Sequence, residues 1–436
     1  MQFGRSDAAE ESIDYAILAA EKSQRRWANT EALTYFNGAL QRLERMPDTG
    51  ANRLRRIDAV VKQAEVKFAL GQHAEHIAAL EGIRDIVEAS DDPRRRATWH
   101  YWTGFLHSLT GSPPALAIEH CRQASTIASA AGSDELEGFI ASCAAQAYVV
   151  AGELHAAVEA GERALAIFEA RDNLWWASRT LWHLAQATVY LGEWDASHSY
   201  CRHALALSTT LNDLRLKVVG LYRTGAACIQ QGDIERGLRC CDEALALEPI
   251  PYDVAMAKLF RGYGKIKAGC HDAGIAELWE AIAWFDKSHL GHVRLMATLR
   301  LAEGLILQAK LESARKLLNE VLSESRVIGY RYLEGLAHRL IAESLVTESS
   351  AIGMQHVTYA QQIFETIDAR NDLAKSLMTR AKLSQGSSDT AEARGLLEKA
   401  VAIFEALGTL DEPPRVRSAL AALEERSPSP PELDHS

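Results

Sequence analysis

A turn signal recurs along this chain at nearly constant spacing, and a small residue lies seven positions before each turn. The turns fall at Gly71, Gly111, Gly152, Gly192, Gly232, Gly269, Ala309, Ser349 and Ser388. A period of about 40 residues indicates a solenoid, in which each unit buries its apolar face only against its neighbours.

One segment, Leu221 to Pro249, shows the content of a single unit. Apolar and small residues follow a helical period on both sides of a break at Gly232. Gly232 permits the backbone conformation that closes the first helix, and Asp233 is a good start residue for the second. A small residue such as Gly225 allows two antiparallel helices to approach closely. The pattern predicts a helix-turn-helix unit.

This unit resembles a tetratricopeptide repeat, because it carries the aromatic-or-Leu, Gly/Ala, turn-Gly, Ala, Ala, Pro pattern of that family. Related patterns extend over almost the whole chain. The resemblance implies an all-α fold: an α-solenoid of about ten helix-turn-helix repeats wound into a right-handed superhelix. We expect an N-terminal extension at 1–11, the repeats at 12–412, a capping helix at 413–426 and a disordered tail at 427–436, beginning at Ser427.

The chain departs from the family pattern in three ways. Its repeat period is about 40 residues, longer than the about 34 residues of the common unit. Ala309, Ser349 and Ser388 replace the turn glycine, and His76 occupies the place of the second small residue in one unit. The first unit is recognised by Ala20, Trp27, Ala32, Phe36 and Ala39.

Composition excludes several classes of partner. The chain has 47 Lys and Arg against 58 Asp and Glu, a formal charge of -11, so nothing attracts it globally to nucleic acid. The run Arg94 to Arg96 is either a solvated helix start or a docking patch for an acidic partner. No apolar run is long enough for a membrane span, and seven cysteines lack CxxC spacing. We expect a cytoplasmic protein with reduced thiols.

The chain lacks the motifs that would indicate an enzyme. It contains no GxxxxGK[ST], HExxH or GxSxG sequence. His73 and His76 have a spacing that could contribute to a metal site, but no second ligand cluster accompanies them, and metals need three or four ligands. We expect no catalytic residues, no metal and no cofactor, so recognition is the remaining role.

In repeats of this type the first helix of each unit lines the concave surface. Before the turn at Gly192, the inward positions hold Arg179, Trp182, Gln186, Val189 and Tyr190. The same positions in neighbouring units complete an aromatic stripe, the candidate binding site for a protein or peptide. The stripe contains Tyr101, Phe105, Phe139, Gln146, Arg179, Trp182, Gln186, Tyr190, Tyr222 and Tyr263.

Two interpretations of the stripe remain open. Arg179 would pair with a carboxylate or phosphate, while Trp182 and Tyr190 would anchor the partner. Alternatively, tight coiling buries these rings as packing. Trp175 and Trp176 would form a wedge between repeats or a ligand contact.

Tyr15 to Met46, the segment GERALAIFEARDNLWWASRTLW and the closing LLEKAVAIFEALGTLDEPPRVRSALAAL give a second resemblance. They are similar to the C-terminal repeat region of bacterial class III adenylate/guanylate cyclases that carry an AAA-type ATPase domain. The resemblance implies a non-catalytic sensory arm of a bacterial signalling system. Its output domain would meet the N-terminal unit, which offers Tyr15, Ile17 and Leu18.

Two other functions remain open: a small-ligand sensor, as in the maltose-type activators, and a purely structural scaffold. A closed aromatic pocket would favour a small ligand, whereas a long open groove would favour a peptide.

Overall fold

Twenty-three helices and no strand make up the part of the chain that the computed structural model describes, residues 3–26, 28–132, 134–386 and 390–426. The all-α prediction is confirmed. Trp27, Ser388 and the tail from Ser427 lie outside the described residues. Among those residues no helix is both long and apolar enough to cross a membrane.

The helices follow the predicted units. Units one to three contain α1 (Phe3–Arg25), α2 (Asn29–Leu43), α3 (Gly50–Val61), α4 (Ala64–Ala69), α5 (His73–Glu81), α6 (Arg84–Glu88), α7 (Pro93–Leu109) and α8 (Pro114–Ala130). Units four to seven contain α9 (Asp134–Ala151), α10 (Leu154–Ala170), α11 (Leu174–Leu191), α12 (Trp194–Thr210), α13 (Leu214–Gln231), α14 (Ile234–Ala246), α15 (Pro251–Lys267) and α16 (His271–Lys287). Units eight to ten contain α17 (Gly291–Leu307), α18 (Leu311–Ile328), α19 (Arg331–Ser344), α20 (Ser350–Thr366), α21 (Arg370–Gly386) and α22 (Thr390–Leu407), and α23 (Glu412–Arg426) follows them.

The boundaries differ from the prediction at the N-terminus. Helix α1 begins at Phe3, so residues predicted to form an extension are helical. The sequence from Phe3 to Glu11 contains neither Pro nor a Gly-rich stretch, so nothing in it ends the helix that Ile13 and Ile17 anchor in the core. Helix α23 begins one residue before the predicted capping helix.

The second unit is irregular. Its two helices are each broken, into α3 with α4 and into α5 with α6. His76 is fully buried at the position where most other units carry a small residue. The unit that carries this imidazole is also the unit in which both helices are broken. Counting each broken helix once leaves the twenty-one helices that ten units and a cap require.

Glycines allow close approach within the regular units. A Cβ added at Gly225 would lie 2.6 Å from Cys241 Sγ and 2.8 Å from Gly237 O. The turn residues behave as predicted at most positions: Gly232 has φ +107° and Ala309 has φ +58°. Ser349 differs, because its φ of -153° is extended backbone, and it directly precedes α20.

Successive turns of the superhelix contact each other, as in the tight-coiling interpretation that the sequence left open. A Cβ added at Gly111 would lie 3.4 Å from Gly291 Cα, and one at Gly232 would lie 2.6 Å from Asp411 N. Gly152 faces Arg331 and Gly192 faces Asn371 in the same way, and these pairs all span nearly the same length of chain. The superhelix therefore completes one turn in about four and a half units, and successive turns pack directly against each other.

The segment between α22 and α23 packs against the preceding superhelical turn and holds the two turns together at the C-terminal end. Leu410 N donates to Gln231 O at 2.7 Å, and Trp194 Nε1 donates to Thr409 Oγ1 at 3.3 Å. Lys267 Nζ lies 2.8 Å from Asp411 Oδ2. These contacts join units five to seven to the end of the solenoid.

Candidate functional site

Among the residues that the structure describes, three of the cavities lie along the inner face of the superhelix. The N-terminal chamber, about 560 Å³, lies beside α3, α7 and α9, and the C-terminal chamber, about 440 Å³, lies beside α15, α17, α19, α21 and α23. Between them lies the central cavity, about 100 Å³, which is lined mainly by α11, α13, α15 and α17.

All ten predicted stripe residues line these spaces. The central cavity is lined by Phe105, Gln146, Arg179, Trp182, Gln186, Tyr190 and Tyr222; the N-terminal chamber by Tyr101 and Phe139; and the C-terminal chamber by Tyr263. The stripe is not an open groove, because the facing turn of the superhelix covers it. Tyr190, for example, stacks on Tyr332 with ring centroids 3.8 Å apart.

Arg179 is the most unusual residue of the central cavity. Its side chain is surrounded by four aromatic rings, with the guanidinium carbon 4.8 Å from the Trp176 ring, 5.2 Å from Trp175, 5.3 Å from Phe105 and 5.6 Å from Phe68. It is 7% exposed, and among the residues that the structure describes it has no hydrogen bond or ion pair. Burial lowers its pKa. The rings supply cation–π attraction, but the N–H groups lack acceptors.

Two more arginines line the central cavity near a single carboxylate. Arg215 Nε lies 3.4 Å from Asp253 Oδ2, and Tyr222 donates to Asp253 Oδ1 at 3.3 Å. Arg223 bonds Gln186 through one Nη, whereas its buried Nε has no partner within the described part of the chain. Three guanidinium groups against one carboxylate leave the cavity positively charged.

The imidazoles of the cavity stay neutral. Burial lowers the pKa of His183 to about 3 and that of His292 to about 4. Neutral imidazole offers one donor and one acceptor, so these side chains add hydrogen-bonding capacity without adding charge.

Several cavity residues lie outside the predicted stripe, because the stripe begins one helical turn after the first inward-facing residue of each helix. Trp175 lies four positions before Arg179, on the same face of α11. The equivalent positions in the next three units hold Arg215, Tyr252 and His292, and all four residues line the central cavity. Trp175 therefore faces the cavity, while Trp176 lines the N-terminal chamber.

Other singled-out residues have structural surroundings. His73 is buried against Phe68, with ring centroids 5.3 Å apart, and the described residues contain no group of three His, Cys, Asp or Glu that could hold a metal. Arg95 pairs with Asp58 at 2.7 Å, so part of the arginine run ties α7 to α3. The seven cysteines are free thiols.

Comparisons with known proteins show the fold. No family model and no curated protein matches the sequence. A Rap protein, solved in complex with Competence and Sporulation Factor, is similar at TM-score 0.52 and 13% identity, covering 85% of this chain and 98% of that one. Aspartyl phosphate phosphatase F from Bacillus subtilis aligns at TM-score 0.41 and 13% identity, covering 93% and 95%. A signal transduction ATPase with a tetratricopeptide repeat sensor from Pyrococcus horikoshii aligns at 0.42 and 12%, covering 80% and 54%. The chain is thus a tetratricopeptide-like helical repeat protein in fold.

Proposed function

We propose that this chain is a non-catalytic receptor that encloses a short acidic peptide inside its superhelix and passes the bound state to a signalling partner. The observation that carries the proposal is Arg179, a buried cation in an aromatic cage without an anion. Burying a charge is costly unless it is paired, so a cavity that keeps one is suited to a ligand that brings the partner. A carboxylate accepts two parallel hydrogen bonds from a guanidinium.

The central cavity is enclosed and holds only about 100 Å³, which favours a small ligand over a long peptide, so we propose that a single acidic group of a short peptide enters it. Contacts between superhelical turns cover the stripe, so a folded protein would have no access to Arg179 while the turns stay in contact. The aromatic walls would take apolar side chains, and the free polar groups of Arg223, His183 and His292 would bind main-chain groups. The solved complex of the similar Rap protein with Competence and Sporulation Factor supports a receptor role for this fold.

The ligand can be sought without knowing its identity. Purified chain is incubated with the low-mass fraction of a native cell extract, then washed by ultrafiltration and analysed by mass spectrometry. We expect one or a few acidic peptides retained by the wild type and lost with Arg179→Gln. Arg239→Gln, which alters an arginine on the outer face of α14, serves as the matched control.

Two outcomes would redirect the proposal. Retention of a non-peptide anion would assign the site to a small-molecule sensor. Retention of the same species by the wild type and by Arg179→Gln would remove the site from the central cavity altogether.

We further propose that the output lies in a cyclase or ATPase domain that meets the N-terminal unit. Tyr15 is 71% and Leu18 56% exposed on α1, whereas Ile17 is buried at 6%. Pull-down with the wild type should capture a protein that carries such a domain. Leu18→Asp should abolish the capture, and Val327→Asp, at a residue 82% exposed on α18, should not. Capture that Leu18→Asp leaves intact would exclude this face.

A further inference from the structure

The C-terminal chamber has a wall rich in cations. Five basic side chains line its 440 Å³, together with three carboxylates, Glu303, Glu343 and Glu412. The basic residues are Lys267, Arg339, Lys375, Lys382 and Arg415. The chamber shares no lining residue with the central cavity among the residues that the structure describes.

Some of these cations are fully paired. Lys267 Nζ lies 2.8 Å from Asp411 Oδ2 and also donates to Ile229 O at 3.0 Å. Lys382 pairs with Glu343, which accepts a further bond from Thr379. These contacts are structural and leave little capacity for a ligand.

Two buried cations of the chamber, Arg339 and Lys375, are not fully paired. Arg339 touches Glu303 only through Nη2 at 3.4 Å, and its buried Nε has no acceptor among the described residues. Lys375 Nζ lies 3.7 Å from Asp372 Oδ1, and no hydrogen bond from its ammonium is found in the described part of the chain. The side chains are 6% and 7% exposed. Both line the chamber. Burial lowers the pKa of Lys375 and Arg339 opposes its charge, but Asp372, Tyr263 and Glu412 raise that pKa on balance.

Several cations lie close to Glu303. Burial alone would raise the pKa of Glu303, but Arg339, Arg300, Lys375 and Lys267 outweigh it and lower the pKa to about 2. Lys267 and Lys375 have other partners, Asp411 and Asp372, so the direct partners of Glu303 are Arg300 and Arg339. An anion in the chamber would supply an acceptor for Arg339 Nε and a closer partner for Lys375.

Apolar side chains line the chamber as well. Ile306, Leu340, Met378 and Ala419 line the chamber beside the ring of Tyr263. We propose that the C-terminal chamber is a second ligand site, which binds a compact phosphate monoester: the dianionic phosphate on Arg339 and Lys375, and the organic group against these apolar side chains and the Tyr263 ring. Two under-paired cations match the two charges of a phosphate monoester.

Helix α23 completes the site. Arg415 lies on α23 at the edge of the chamber, with its side chain 55% exposed and 3.7 Å from Glu412. A phosphate bound inside would attract it and hold α23 against the solenoid. Binding is therefore expected to stabilise the C-terminal end, independently of any ligand at Arg179.

Isothermal titration with phenyl phosphate tests the proposal on the full chain at fixed ionic strength. We expect saturable binding to the wild type, at least tenfold weaker binding to Lys375→Gln, and weaker binding to Arg415→Gln. Arg417→Gln is the matched control, since Arg417 lies on α23 outside the chamber and pairs with Glu405. Benzoate, which has one charge, should bind more weakly than phenyl phosphate.

The readouts separate this site from the proposed receptor site. Among the described residues no Trp lines the C-terminal chamber, whereas Trp175 and Trp182 line the central cavity. Phenyl phosphate should therefore leave tryptophan fluorescence unchanged. The proposal is overturned if phenyl phosphate gives no saturable heat with the wild type, or if Lys375→Gln and Arg415→Gln bind it as tightly as Arg417→Gln. Circular dichroism verifies that each variant is folded.

Discussion

At the scale of single residues, the unpaired charge of Arg179 destabilises the ligand-free protein. Arg179→Met keeps an unbranched side chain inside the aromatic cage and removes that charge. We expect the ligand-free variant to be as stable as the wild type or more stable by about 1 kcal/mol, because uncompensated buried charge is destabilising. Arg300→Met provides the contrast: Arg300 pairs with Glu303 at 3.2 Å, so its loss should destabilise the chain. Denaturant unfolding of both variants measures this. A clear loss of stability in Arg179→Met would mean that its contacts are structural.

Close helix approach at Gly225 gives a second residue-scale prediction. A Leu side chain would overlap Cys241 and the Gly237 carbonyl, so Gly225→Leu should cost about 1 to 3 kcal/mol or more, as overpacking does. Gly395→Leu is the matched control, because a Cβ there meets nothing within 4 Å. Thermal unfolding of the two variants compares them. Equal tolerance of both substitutions would show that the paired helices are not locked at this point.

At the scale of elements, the turns between paired helices have two kinds of role. Gly232 has φ +107° and faces Asp411 of the next superhelical turn, whereas Gly269 has φ +86° and open space around it. Ala at either site adds the strain of left-handed backbone, of order 1 kcal/mol. Gly232→Ala should in addition separate the superhelical turns. Hydrogen exchange should show faster exchange in 405–426 for Gly232→Ala alone; similar exchange in both variants would contradict the closure.

The sequence predicts most of the helix pairs, but it does not predict how these pairs wind into the superhelix. The interval between turns and the small residue seven positions before each turn place the helix pairs, because they reflect packing between sequence neighbours. His76 marks the second unit as a departure from the pattern, but the pattern does not predict that both helices of the unit are broken. Contacts such as that of Gly232 with Asp411 join units far apart in the sequence, and they depend on small rotations summed over several units. No local pattern encodes that sum, so the sequence leaves tight coiling open as an alternative and does not predict the pairing of Tyr190 with Tyr332.

At the scale of the whole molecule, buried histidines make stability depend on pH. Burial lowers the pKa of His73 to about 4, of His76 to about 3 and of His338 to about 4. A pKa that is lower in the folded state favours folding above the unfolded value near 6.5, and that contribution is lost as pH falls below it. As the pH falls below 6.5, each such histidine lowers the free energy of unfolding by at most about 1.4 kcal/mol per pH unit. The melting temperature should fall between pH 7.5 and 5.5, and less steeply in His76→Leu. A flat profile would show that these imidazoles gain protons without unfolding.

The proposed receptor role depends most directly on the location of the ligand. Its most direct test is photo-crosslinking with p-benzoylphenylalanine in place of either of two tryptophans, in the presence of the low-mass extract. Trp182 lines the central cavity, and Trp279 is 49% exposed on α16. We expect the variant at position 182 to gain the mass of a short acidic peptide and the variant at position 279 to remain unmodified. Crosslinking at position 279 with none at position 182 would place recognition on the outer surface and contradict an enclosed receptor.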